Sequence, residues 1–182
     1  MKIIGLSGLM GSGKDFIYEQ YLYPYGYRKF ALADHFKIWA IGRGLATYDE
    51  VFYTKPPHVR DLLQQEGTER GRMVYGEDIW VNTALAWMTH LSNTLDIHKW
   101  CCADVRFPNE LAFIQNSGGK VFRVVAPDRC SKRVATDEAK QHASETSLTD
   151  DMIFDGYIQN DESDQYKLKS SINLLLSTYQ LI

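Results

Sequence analysis

The segment Gly8-Leu9-Met10-Gly11-Ser12-Gly13-Lys14-Asp15 carries the most specific chemistry in the chain. It follows the pattern G-x-x-x-x-G-K, lies directly after the apolar run Lys2–Leu6, and opens a stretch of helical spacing. Glycines at these positions let the backbone curl so that successive N–H groups point inward at the start of a helix, whose dipole favours anions. A lysine placed there reaches phosphate oxygens as a mobile point charge. The residues expected to grip a nucleoside triphosphate are therefore Gly11, Ser12, Gly13, Lys14, Asp15 and Phe16. Asp15 stands where the general pattern has Ser or Thr, whose hydroxyl normally ligates Mg²⁺. Its carboxylate would hold the ion directly or through water, or would only complement the dipole of the first helical turn.

A loop that grips phosphates implies further groups wherever a phosphoryl acceptor sits. Phosphoryl transfer needs an acceptor in line, Mg²⁺ in place and positive charge around the moving group. Arg70 and Arg72 flank Gly71 and offer planar forks suited to phosphate, or stabilise a helix end. Asp104 closes the apolar run Trp100–Ala103, where an acid would hold Mg²⁺ through water, with Arg106 two residues on; the alternative is an ion pair in a tight turn. Glu110 is either a substrate-facing carboxylate or a helix-surface acid. Arg129, Lys132 and Arg133 form a basic lid over the phosphates or a solvated face. Lys37 reaches an acceptor phosphate or pairs with Asp34. Trp80 stacks on a base or belongs to the core. His142 and Glu145, three apart, share a helix face without an evident third ligand, which argues against zinc.

The elements that must position these groups alternate. Strands are expected over Lys2–Leu6, Tyr27–Ala31, Trp100–Ala103, Lys120–Val125 and Met152–Ile158. Helices are expected over Lys14 to about Leu22, Asp34 to about Gly42, Val59–Gly71, Ile79–Leu95 capped by Asp78, a segment opening at Pro108 and ending at Gly118-Gly119, and Ser163–Tyr179. Thr47–Val59, with Pro56-Pro57, reads as a loop-rich excursion. Such alternation predicts an α/β fold: three α/β/α layers around a mainly parallel five-stranded sheet, with helical substrate-binding and lid insertions. Ligands of such sheets bind beyond the carboxyl ends of the strands. Ile158-Gln159-Asn160-Asp161 ends a strand there and would border an adenine. The expected organisation is one domain over 1–182, with a substrate-binding excursion at about 44–97 and a lid-like region at about 127–147.

Composition limits the function classes. The 182 residues are 45% hydrophobic and 24% charged, with a net charge of −3, which suits a globular domain and argues against a general nucleic-acid binder. No apolar run approaches the ~20 residues of a membrane helix, and Met1–Gly5 has no signal-peptide pattern. Cys101, Cys102 and Cys130 make neither a disulfide framework nor a zinc site, so a cytoplasmic setting with reduced thiols is expected. Tyr21, Tyr23 and Tyr25 leave room for a homodimer surface.

Along nearly its whole length the chain resembles the deoxynucleoside monophosphate kinases of bacteriophages. The resemblance is carried by Gly13-Lys14-Asp15, Ala33-Asp34 with Lys37, Gln65-Glu66-Gly67-Thr68-Glu69-Arg70-Gly71-Arg72, Tyr75-Gly76-Glu77-Asp78-Ile79-Trp80, Asp104-Val105-Arg106-Phe107-Pro108-Asn109-Glu110 and His142-Ala143-Ser144-Glu145. It implies transfer of the ATP γ-phosphoryl group to a dNMP, with ATP and Mg²⁺ required and the host cytoplasm as the setting. It places Lys14, Arg70, Asp104, Arg129 and Arg133 in catalysis, and Asp15 and Asp104 on the metal. Lys37, Arg70, Arg72, Trp80, Arg106, Glu110, His142 and Glu145 would then face the acceptor. Two other classes remain: another small-molecule kinase such as a dephospho-coenzyme A kinase, with Asp34 as base, and a non-catalytic nucleotide-binding regulator.

Overall fold

A computed structural model of the chain describes residues 1–32, 34–65, 71–131, 147–148, 152–161 and 165–182. Five strands form one parallel sheet: β1 Lys2–Ser7, β2 Arg28–Phe30, β3 Lys99–Val105, β4 Lys120–Val125 and β5 Gly156–Gln159, in spatial order β2-β3-β1-β4-β5. Among the described residues, helices precede or follow each strand: α1 Lys14–Ile17, α2 Asp34–Gly42, α3 Pro57–Gln64, α4 Gly71–Tyr75, α5 Ile79–Leu95, α6 Pro108–Asn116, α7 Pro127–Ser131 and α8 Gln165–Thr178. The expected α/β architecture with a five-stranded parallel sheet is present.

Period-two alternation along the strands divides the core into two layers. Ile4, Leu6, Cys101, Ala103, Phe122 and Val124 pack under Ile17 and Leu22 on one side and Leu168, Ile172 and Leu176 of α8. Ile3, Trp100, Cys102 and Val121 face the opposite layer, with Val81 and Met88 of α5 and Leu111 and Ile114 of α6. The central strand β1 is thus covered on both faces, and its carboxyl end opens between β3 and β4, where the direction of strand succession reverses. Crevices at that point are the ligand sites of doubly wound sheets.

Several elements depart from the expected bounds. β3 runs on to Val105, so Asp104 lies inside the strand rather than after it. β5 starts at Gly156, not Met152. The Asp155 carboxylate accepts the Val121 N–H (2.9 Å) in place of a backbone carbonyl and also binds Lys120 Nζ (2.8 Å) and Gln115 Nε2 (3.0 Å). These donors outweigh the effect of burial and hold Asp155 below the usual carboxylate range. The helix after the loop is α-helical only to Ile17 and continues as a wider π turn over Tyr18–Leu22. The excursion expected as loop contains a π turn at Glu50–Thr54, and Pro57 opens α3 at the first helical position, where its missing N–H costs nothing. Gly71, expected to end a helix, is the first residue of α4. Asp78 makes no side-chain cap for α5, because its carboxylate instead accepts Asn109 Nδ2 (3.0 Å). Tyr21 is half-buried with its ring edge-on to Phe16, while Tyr23 and Tyr25 are exposed.

Candidate functional site

The loop between β1 and α1 is bent by Gly8, Gly11 and Gly13, all at positive φ. Ser12 N–H donates to Leu9 O (3.1 Å), closing the turn, and Ile17 N–H to Gly13 O (3.0 Å) begins the helix. Lys14 is folded back over the loop, its ammonium donating to Gly8 O (2.6 Å) and Leu9 O (2.9 Å). A lysine held by two carbonyls of the loop is already where an anion seated in that loop would meet it.

Asn160, 3% exposed at the end of β5, donates from Nδ2 to Ser12 O (2.7 Å) and locks the loop to the far edge of the sheet. Arg129 Nη1 donates to Asn160 O (3.3 Å), and a Cβ at Gly13 would lie 3.3 Å from that same nitrogen. The Asp161 carboxylate accepts the Asp128 and Arg129 amides (both 3.0 Å), fixing the start of α7 against β5. Arg129 therefore borders the loop because β5 holds it there. The Ser12 hydroxyl is buried and without a partner, an unspent polar group inside the turn.

On the other side of the loop, the Asp15 carboxylate is exposed and pairs with Lys29 of β2. Lys29 also feels the charge of Asp104, whose Oδ1 accepts the Cys102 thiol (3.3 Å). Beyond Asp15 lies a group of cations. Lys55, in the left-handed region (φ 44°), is within electrostatic range of Lys37, Arg60, Arg106 and Asp15. Burial of its ammonium, then repulsion by Lys37 and Arg60, lowers its pKa below the ordinary amine value. Arg60 Nε donates to Lys55 O (2.8 Å) and holds this backbone in place. Lys37 pairs with Asp34 Oδ1 (2.6 Å), whose Oδ2 accepts the Ala31 N–H (3.2 Å).

Asp15 and Asp104 offer hard carboxylate oxygens, the donor type Mg²⁺ takes. Among the described residues no group of three His, Cys, Asp or Glu converges as an all-protein metal site. Two carboxylates are the donor type for an ion shared with ligand phosphates and water, the usual Mg²⁺ arrangement.

No protein-family model and no curated protein matches the chain. Solved structures do. The chain is similar to TT1252 from Thermus thermophilus, with a TM-score of 0.58 and 17% identity, over 97% of this chain and 96% of that one. It is also similar to an unliganded sugar kinase from Janibacter sp. HTCC2649, with a TM-score of 0.52 and 16% identity, over 97% and 94% of the two chains. These likenesses are of fold.

The structure brings Gly11, Ser12, Gly13, Lys14, Asp15 and Arg129 together, with Asp104 reached through Lys29 and with Lys37 and Arg106 grouped around Lys55. Phe16 turns the other way, lining a groove with Gln20, Tyr21, Gln165 and Tyr166. Trp80 packs edge-on against Phe36 (5.9 Å between ring centroids) and joins the α5 core layer. Arg70, Arg133, His142 and Glu145 lie outside the described residues. Arg72 and Glu110 are engaged with each other. Arg72 Nη2 donates to Glu110 Oε1 (2.9 Å), and the guanidinium carbon lies 4.1 Å from the Phe107 ring centroid. Glu110 is no surface acid: it is 4% exposed, and Oε2 accepts the Arg106 and Phe107 amides (2.7 and 3.1 Å) at the start of α6. Three residues are not marked by the sequence, among them Arg60, which holds the Lys55 backbone. Lys29 lies in a short, exposed strand with no pattern to mark it, and Lys55 follows no glycine or motif. Asn160 was placed near the nucleotide, but as a backbone contact rather than as the side-chain anchor it is.

Burial pushes the Glu110 carboxyl up to about 7, with the Asp104 charge adding to the effect and the Arg106 amide and Arg72 guanidinium opposing it. The native state then holds a proton that the unfolded chain, with an ordinary value of 4.5, releases. Stability should accordingly fall as pH rises from 4.5 through about 7. Glu110→Gln cannot ionise and is expected to remove this part of the slope, read from urea midpoints across that window. A variant whose slope matches the wild type would refute the assignment.

Proposed function

We propose that the chain is a deoxynucleoside monophosphate kinase, moving the γ-phosphoryl group of ATP to a dNMP to give dNDP and ADP. The observation that carries this reading is a group of cations, Lys37, Arg60 and Arg106, within electrostatic range of Lys55, which also lies within range of Asp15. A protein that only held ATP would have no use for a second concentration of positive charge, whereas an acceptor bearing its own phosphate requires one. The resemblance to the phage enzymes supplies the deoxynucleotide, the bacteriophage origin and the host cytoplasm; among the described residues no helix is long and apolar enough to cross a membrane. The likeness in fold to a solved sugar kinase agrees with a small-molecule acceptor.

In this reading the loop amides and Lys14 hold the triphosphate, with Arg129 beside them. Arg70 and the Lys55 group take the acceptor phosphate, and Arg133 is assigned to the charge of the transferred phosphoryl group, while Arg72 is committed to Glu110. His142 and Glu145 are assigned to the acceptor nucleotide, and Trp80 to the core instead. Asp15 and Asp104 would hold Mg²⁺, which would supply positive charge against the charge developing in transfer. No general base is required, because the attacking phosphate oxygen is already anionic at neutral pH. A dephospho-coenzyme A kinase would need a base, and Asp34 is engaged by Lys37 and the Ala31 amide instead.

A coupled ADP-release assay with each dNMP, each NMP and dephospho-coenzyme A tests the reading. Turnover with dNMPs is expected, and Lys55→Gln should raise KM for the acceptor by about tenfold with a smaller change in kcat, since a single phosphate cation contributes about 1–2 kcal/mol of binding. Turnover only with the pantetheine-bearing acceptor, or ATP binding with no acceptor-dependent ADP release, would overturn it.

A further inference from the structure

A carboxylate directly after the loop lysine raises an electrostatic problem that the sequence pattern does not solve. A triphosphate in the loop would bring several negative charges close to Asp15, and like charges at such range weaken binding by an order of magnitude or more even in a solvated cleft. An unpaired Asp15 would thus work against the loop it adjoins.

The remedy is built from two other elements. β2 is paired in register with β3, with Lys29 opposite Cys101. Tyr18, three residues after Asp15 and so on the same helix face, accepts the Lys29 N–H on its hydroxyl (3.1 Å), and its ring centroid lies 5.7 Å from the Lys29 ammonium. Lys29 is clamped from the helix that carries Asp15, and its ammonium pairs with the Asp15 carboxylate. Both side chains are open to solvent, 39% and 71% exposed. Ion pairs so exposed add little to folding. Neither side chain belongs to either core layer. The pair is placed where it affects the loop and little else.

We infer that Lys29 is a positioning residue, the counter-charge of Asp15 that lets a glycine loop followed by a carboxylate accept a nucleoside triphosphate. The inference rests on the ATP-binding reading above, but not on the acceptor. Lys29 neutralises Asp15 before ligand arrives.

A double-mutant cycle on ATP affinity tests this, with EDTA present and neither metal nor acceptor added, read by calorimetry on the full chain. Lys29→Met is expected to weaken ATP binding about tenfold or more in the wild-type background and less than about twofold in the Asp15→Asn background. Matching thermal midpoints establish that every variant is folded. An equal loss in both backgrounds would mean that Lys29 contacts the phosphates itself and would overturn the inference, as would Lys29→Met with unchanged affinity. A wild-type chain that binds no ATP under these conditions overturns this inference, and one that also binds none with Mg²⁺ added overturns the nucleotide reading as well. ATP binding with additive losses overturns this inference alone.

Discussion

Lys14→Ala is expected to lower phosphoryl transfer by about 10²–10³-fold or more, the scale on which single preorganised charge-stabilising groups act. Lys14 lies at the junction of the loop and α1, with its ammonium already held by Gly8 O and Leu9 O. Exchanging those carbonyls for phosphate oxygens requires no reorganisation of the backbone. A neutral methyl leaves the loop amides to face the triphosphate alone. Lys14→Arg should rescue little, because a planar fork needs more room than a compact ammonium and aims its donors differently. Folding should survive, since Lys14 belongs to neither core layer, and the thermal midpoint should move by only a few degrees. Initial-rate assays with saturating dNMP, alongside thermal melts, check both halves. Turnover within tenfold of wild type would sink the mechanism.

Gly8→Ala should destabilise the protein strongly, because the methyl meets backbone rather than a side chain. Gly8 has φ 146°, a conformation side chains rarely adopt, and a Cβ there would lie 2.4 Å from the Val124 carbonyl oxygen. That oxygen belongs to β4, whose backbone is tied to β1 on one side and β5 on the other, so no rotamer change relieves the clash. Displacing the loop or the strand costs about 3 kcal/mol or more, lowering the midpoint by roughly 5–10 °C in a domain of this size. Nucleotide affinity should fall as well, because the loop leaves the position in which Asn160 holds Ser12 O. Gly26→Ala is the control: Gly26 is also at positive φ, but a Cβ there meets nothing within 4 Å. Its cost should be confined to the backbone term. Equal midpoints for the two variants would show that the contact with β4 is not what matters.

The glycine loop, the alternation of strands and helices and the two-faced burial of β1 were all legible in the sequence. Each depends on a local pattern: glycine at sharp bends, short apolar runs in strands, Pro108 at a first helical position. The element ends were less legible where side chains substitute for backbone. Asp155 takes the Val121 amide and so delays β5, and Asp78 gives its carboxylate to Asn109 rather than to its own helix.

The sequence by itself determined that phosphate can be held after β1 and that carboxylates stand near it, because glycine, lysine and acid at fixed spacing act within one turn of chain. Only the tertiary structure decided which charges meet. Glu110 and Arg72, 38 residues apart, are buried against each other instead of facing a cleft. Lys29 and Lys55, which no motif marks, come to Asp15 across strand β2 and the π turn before α3. Electrostatic partners are chosen by distance in space, and sheet order, not spacing along the chain, sets that distance.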